Sequence, residues 1–184
     1  MSNGAHTGRR RAQFVHSSGH KGKNHQQAPK DPWDVKIDVY LNSVGPAPNY
    51  PADFDIQTCL PTQWNNGEDN PQVFFFNDGR PFFRVTFRLW DNTNGGLGSG
   101  YKFVADKNDA LWSKLGSICP TAGCWDVFAK SGIKRPNDTT ITGDNPNDET
   151  CLGAFQYVLR VTDGNKIVSL DPGGNNMNGG TGFD

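Results

Sequence analysis

The chain has 184 residues, a formal net charge of −1 at pH 7, 34% hydrophobic residues, 22 glycines and 12 prolines, which fits one turn-rich domain with a tail better than two domains or a helical bundle. No stretch approaches the roughly 20 apolar residues that a membrane helix needs, so a helical span is excluded. The small net charge hides a split: residues 1–30 carry Arg9, Arg10, Arg11, Lys21, Lys23 and Lys30 and no acid, which is +6 and leaves −7 for the rest of a chain whose total is −1.

Residues 1–32 are Gly, Ser, His, Gln, Asn and basic side chains, with Phe14 and Val15 as the one adjacent apolar pair. Such a segment buries too little surface to offset its ordering entropy, so a disordered arm is expected. The arginine triplet is followed by "AQFVHSSGHKGKN" and not by an apolar run. That speaks against a secretory signal and makes a cytoplasmic location the expectation, with export by another route left open. All four histidines, His6, His16, His20 and His25, lie in this arm.

At Trp33 the pattern changes. "WDVKIDVYL" alternates Val35, Ile37, Val39 and Leu41 with Lys36, Asp38 and Tyr40, the period of a half-buried strand. A proline-rich turn through Pro46, Pro48 and Pro51 leads to a second alternation of Phe54, Ile56 and Thr58 with Asp53, Asp55 and Gln57. "QVFFFN" reads as a strand buried on both faces or bulged, ended by the turn residues Asn77-Asp78-Gly79. In "PFFRVTFRLW", Phe83, Val85, Phe87 and Leu89 face one way and Arg84, Thr86 and Arg88 the other. After the flexible "DNTNGGLGSG" come a strand at "YKFVA" and a short helical turn near 108–115, capped by Asn108 or Asp109 and ended by Gly116. Further strands are expected at Trp125–Phe128, Thr139–Thr142, Phe155–Val161 and Lys166–Leu170, the last two joined by the hairpin signal "TDGN".

Eight or nine short strands between polar turns predict an all-β fold, an antiparallel two-sheet β-sandwich, immunoglobulin-like first and jelly roll second. The expected organisation is a basic arm over 1–32, the sandwich over 33–174 and a flexible Gly/Asn-rich tail over 175–184. The segments "GYKFVADKNDALWSKLGSICPTAGCWDVF" and "FQYVLRVTDGNKIVSLDPGGNNMNGG", the latter a hairpin ending in Asp171-Pro172, resemble small uncharacterised bacterial proteins with an immunoglobulin-like sandwich. The resemblance covers residues 81–180 and implies a fold, with no catalytic or ligand residues to carry over.

The four cysteines frame the question of chemistry. Zinc needs four ligands, usually two close pairs; here Cys119 and Cys124 make one widely spaced pair, Cys59 and Cys151 stand alone, and the histidines lie in the arm. A thioredoxin-like site would need two intervening residues, and there are four. The remaining readings are a Cys119–Cys124 disulfide across the Pro-Thr-Ala-Gly turn, with Cys59–Cys151 as a second, or reduced thiols. The loop is structural in either case.

The aspartates mostly adjoin Asn, Gly or Pro, as in Asp78-Gly79, Asp91-Asn92 and Asp163-Gly164, which Asx-turns explain without enzymology. "DNTNGG" and "TGDNPNDET" are oxygen-rich, and Asp144, Asp148 and Glu149 could converge, but neither loop has the spacing of a helical calcium loop. No catalytic residue, metal ligand or cofactor is therefore expected. Of Trp33, Trp64, Trp90, Trp112 and Trp125, most are expected in the core, and Trp64, in the polar "TQWNNGEDN", is the candidate for ligand stacking. The function these features predict is a non-enzymatic sandwich acting through surface binding or self-association. The alternatives are a nucleic-acid-binding or coat-type protein using the cationic arm and a carbohydrate-binding module.

Overall fold

A computed structural model describes residues 33–58, 63–65, 72–76, 82–146, 148 and 150–177. The alternating segments become strands: β1 (Trp33–Val44), β2 (Ala52–Thr58), β3 (Gln63–Asn65), β4 (Gln72–Phe76), β5 (Phe83–Asp91) and β6 (Lys102–Phe103). A single helical turn, α1 (Lys107–Ala110), precedes β7 (Leu111–Leu115). Then follow β8 (Lys134–Asn137), β9 (Thr140–Asn145), β10 (Gly153–Thr162), β11 (Ile167–Leu170) and β12 (Gly173–Met177). The protein is all-β. One sheet runs β2-β1-β5-β9-β8; the other runs β11-β10-β12-β4-β3, with β6 and β7 also paired to β10.

Each alternation buries one face. Val35, Ile37, Val39 and Leu41 of β1 and Phe83, Val85, Phe87 and Leu89 of β5 lie in a core shared with Phe155, Tyr157, Leu159 and Val161 of β10. Aromatic rings join the layers: Phe87 stands 5.3 Å from Tyr157 and 5.7 Å from Phe128, centroid to centroid. The packing leaves no room at Gly143, where an added Cβ would come within 3.0 Å of both Leu111 and Phe128. The Tyr157 hydroxyl is buried without a hydrogen-bond partner among the described residues, and burial raises its pKa.

Three expectations need correction. The sheets are not wholly antiparallel: β1 runs parallel to β5, and β12 to β4. Alternation fixes which face a side chain takes but carries no information on the partner's direction. The helical turn does not reach residue 115. Asp106 caps it by accepting from the Asn108 amide at 2.9 Å, and it stops at Ala110 because Leu111–Leu115 pairs with Leu159–Phe155 of β10, tertiary pairing overriding local propensity. Trp125–Phe128 is no strand; one bridge joins Trp125 to Ser113. The Val127 and Phe128 amides donate instead to the buried Ser113 hydroxyl, at 3.1 and 2.8 Å. Among the described residues, no helix is long and apolar enough to cross a membrane.

Candidate functional site

The side chains that β1 and β5 do not bury form the outer face of the first sheet. Parallel register sets Asp38 beside Arg88 and Tyr40 beside Trp90. Arg88 grips the Asp38 carboxylate with two bonds, from Nε at 2.6 Å and Nη2 at 2.5 Å. Trp90 donates its indole Nε1–H to the same carboxylate at 2.9 Å. Tyr40 stacks on Trp90 with centroids 6.1 Å apart and planes 15° apart. Trp90 is nevertheless 49% exposed, so a large ring stands in solvent with its orientation already fixed. Asn42 and Asp55 extend the polar rim through a 3.0 Å bond. Fixing side chains before contact removes part of the ordering cost of association.

The loop leaving β5 is organised by one carboxylate. Asp91 accepts from the Thr93 amide at 3.1 Å and hydroxyl at 2.5 Å, and from the amides of Ser99 and Tyr101 at 2.8 and 2.9 Å. Burial alone would raise its pKa, but these hydrogen bonds together hold it below the ordinary aspartate value. Beside the loop is an open polar cavity of about 310 Å³ lined by Ser43, Asn94, Tyr101, Asp163 and Lys166 among others. The Lys166 ammonium lies 5.3 Å from the Tyr50 ring and 5.8 Å from that of Tyr101. Its bond with the Tyr101 hydroxyl is the main reason its pKa is raised. Thr93 bonds to Asp91 and Ser99, Lys166 pairs with Asp163, and among the described residues no histidine or thiol lines the cavity.

The oxygen-rich loops that suggested a cation are likewise committed to their own turns. Asp91 is occupied as above, Asp144 pairs with Arg84 at 3.3 Å, and Asp148 accepts from the Thr150 amide and hydroxyl at 2.9 and 2.6 Å. Among the described residues, no three His, Cys, Asp or Glu side chains are grouped to hold a metal; Glu149 lies outside them.

Cys119 and Cys124 are free thiols in this structure, the first exposed and the second half-buried. Their turn is closed by the Cys124 amide donating to the Thr121 carbonyl at 3.2 Å, and it is tied to β7 by the Ser113 amide donating to the Cys124 carbonyl at 3.0 Å. Gly123 sits at φ +85°, where a side chain would be strained. Burial, then the nearby Asp171 carboxylate, push the Cys119 thiol above its ordinary pKa, which keeps it protonated and a poor nucleophile. Cys151 is buried near Asn145 and Asp148.

Other residues singled out from the sequence fall elsewhere. Arg9, Arg10, Arg11, Lys21, Lys23, Lys30, the histidines and Cys59 lie outside the described residues. Trp64 pairs with Val73 through the β3–β4 ladder, and its side chain lies outside them too. Sequence reasoning missed the Tyr40–Trp90 pair, although the parity was available: Arg84, Thr86 and Arg88 point outward, and Trp90 is next on that side. No protein-family model matches the chain, and no curated protein matches it.

Proposed function

We propose that this protein is a non-enzymatic β-sandwich of immunoglobulin-like type that works by protein–protein recognition, with the outer face of its first sheet as the contact surface and a second copy of the chain as its first partner. The observation that carries this reading is the Tyr40–Asp38–Arg88–Trp90 cluster. Trp, Tyr and Arg are the residue types that dominate binding energy at protein interfaces, and here all three converge on one open face. The same face carries Asp34 and Lys36 on β1 and Asp53 and Asp55 on β2, beside the Arg84–Asp144 and Arg88–Asp38 pairs, charges of both signs that a two-fold pairing can match against themselves. The mutual satisfaction of the Asp38 and Asp91 clusters supports a role without acid–base chemistry.

Sedimentation of the full chain across a wide concentration range, beside the Trp90→Ala variant, tests it. The expected result is concentration-dependent association that weakens by about 30-fold or more in the variant, the scale of an interface anchor. A wild-type chain that stays monomeric, or a variant that associates as well as the wild type, overturns the reading. The +6 charge of residues 1–30 favours a second reading, electrostatic binding of nucleic acid, which does not involve this face.

A further inference from the structure

On the second sheet's side of the molecule, β7 and the cysteine turn enclose an open cleft of about 310 Å³, at the lower end of the range for small-molecule sites. Trp112 and Trp125 line it, brought together because Trp125 bridges to Ser113, the neighbour of Trp112. Both indoles are fixed: Trp112 Nε1 donates to the Asn108 carbonyl at 3.0 Å and Trp125 Nε1 to the Leu111 carbonyl at 3.2 Å. With their N–H groups engaged, what the rings offer a ligand is carbon surface. Arg160 lies 4.6 Å from the centre of the Trp112 ring and pairs with Asp109, which lines the cleft. Lys130 does line the cleft, with its ammonium 4.6 Å from the centre of the Trp125 ring.

Half of the residues lining the cleft are polar: Asp106, Asn108, Asp109 and Lys130. Asp109 is engaged by Arg160 in an ion pair, while Asp106 uses one oxygen on the Asn108 amide and is exposed. Asn108 also lines the cleft, and its side-chain Oδ1 is buried with no partner among the described residues. A half-turn of that amide exchanges its oxygen and nitrogen, so it can present either acceptor or donor to a ligand. Leaving a buried acceptor unmatched is unfavourable, so a turn of the amide that brings this oxygen to a ligand hydroxyl in the cleft is favoured. The cysteine turn supplies Ala122 and Gly123, small residues that keep the mouth open.

From this geometry we propose that the cleft is a binding site for a neutral saccharide, a site separate from the recognition face of the first sheet. Each indole carries a cation over one face, Arg160 at Trp112 and Lys130 at Trp125; the remaining aromatic carbon surface fits the C–H face of a sugar ring, and the Asp106 carboxylate, the Asn108 amide and the Lys130 ammonium fit its rim of hydroxyls, which both donate and accept. A phosphate-bearing ligand would meet the Asp106 carboxylate beside the Lys130 ammonium, with Asp109 and Arg160 already paired to each other, which leaves no net positive charge to hold it. A quaternary amine would meet the Lys130 charge already over Trp125.

The test is an NMR titration of the full chain, following the indole N–H signals, with methyl glycosides of glucose, galactose, mannose and N-acetylglucosamine, and with choline and inorganic phosphate as the contrasting probes. At least one glycoside should shift the Trp112 and Trp125 signals saturably. Ala122→Trp, which fills the cleft from an exposed position outside the core, should weaken that binding tenfold or more, and Asn108→Ala severalfold. Trp90→Ala should leave it unchanged, which separates this site from the recognition face. Saturation by choline or phosphate but by no glycoside, no saturable response to any probe, or glycoside binding untouched by Ala122→Trp each overturns the proposal.

Discussion

Asp91 offers the sharpest test of how the loop leaving the first sheet is held. Its carboxylate accepts four hydrogen bonds, from both donor groups of Thr93 and from the amides of Ser99 and Tyr101. In Asp91→Asn, whichever way the new amide turns, part of this donor set faces its NH₂ group. Hydrogen bonds to a charged group contribute roughly 1.5–3 kcal/mol each when buried, but solvent screening at a half-exposed carboxylate lowers the expected total loss to about 2 kcal/mol. Denaturant unfolding measures that loss, and hydrogen exchange locates it: the Ser99 and Tyr101 amides should lose protection before the core strands do. The pH dependence has a definite sign. Because the folded pKa of Asp91 is lowered, its contribution is present above the unfolded value of about 3.9 and lost as pH falls through the folded value. The stability gap between wild type and Asp91→Asn should therefore be flat above about pH 5 and close as the solution is acidified below about pH 4. A gap under about 0.5 kcal/mol at pH 7, or one that widens in acid, would refute the reasoning.

The remaining predictions concern the core and the arm. Tyr157→Phe keeps the ring contacts and removes the unpaired hydroxyl, so it should stabilise the fold by about 1 kcal/mol in chemical denaturation; a loss of that size would reveal a hidden partner for the oxygen. Gly143→Ala forces a methyl group against Leu111 and Phe128 and should cost about 1–3 kcal/mol by the same measurement, whereas a neutral result would show that those side chains give way. Removing residues 1–30 takes away six cations and should abolish salt-sensitive binding to an arbitrary DNA duplex in a gel-shift titration. Binding that survives the truncation would place the contact on the body of the protein.

The all-β architecture was legible because β1 and β5 alternate so regularly that their buried faces follow from the residue order. The same parity placed Tyr40, Arg88 and Trp90 outward, yet their meeting depended on parallel pairing between strands about 50 residues apart, which no local pattern encodes. The helical reading beyond Ala110 failed for a related reason: Leu111–Leu115 has acceptable helix formers, and its partner β10 lies some 45 residues downstream. Trp112 and Trp125 looked like two core residues flanking a cysteine loop. Their convergence on a cleft rests on the buried Ser113, whose backbone meets Trp125 and whose hydroxyl anchors Val127 and Phe128. The Cys119–Cys124 loop lies beside β7, held there by backbone bonds.

The central claim is that function resides in preformed aromatic surface and not in a reacting group, and the indole N–H spectrum of the full chain addresses it most directly. The chain has five tryptophans, so each can be followed separately. Raising the protein concentration should move the Trp90 resonance, while a bound glycoside should move those of Trp112 and Trp125. If neither treatment moves any of these three, and catalytic turnover is found that disappears when Asp91 or Asp106 is replaced, the account is contradicted.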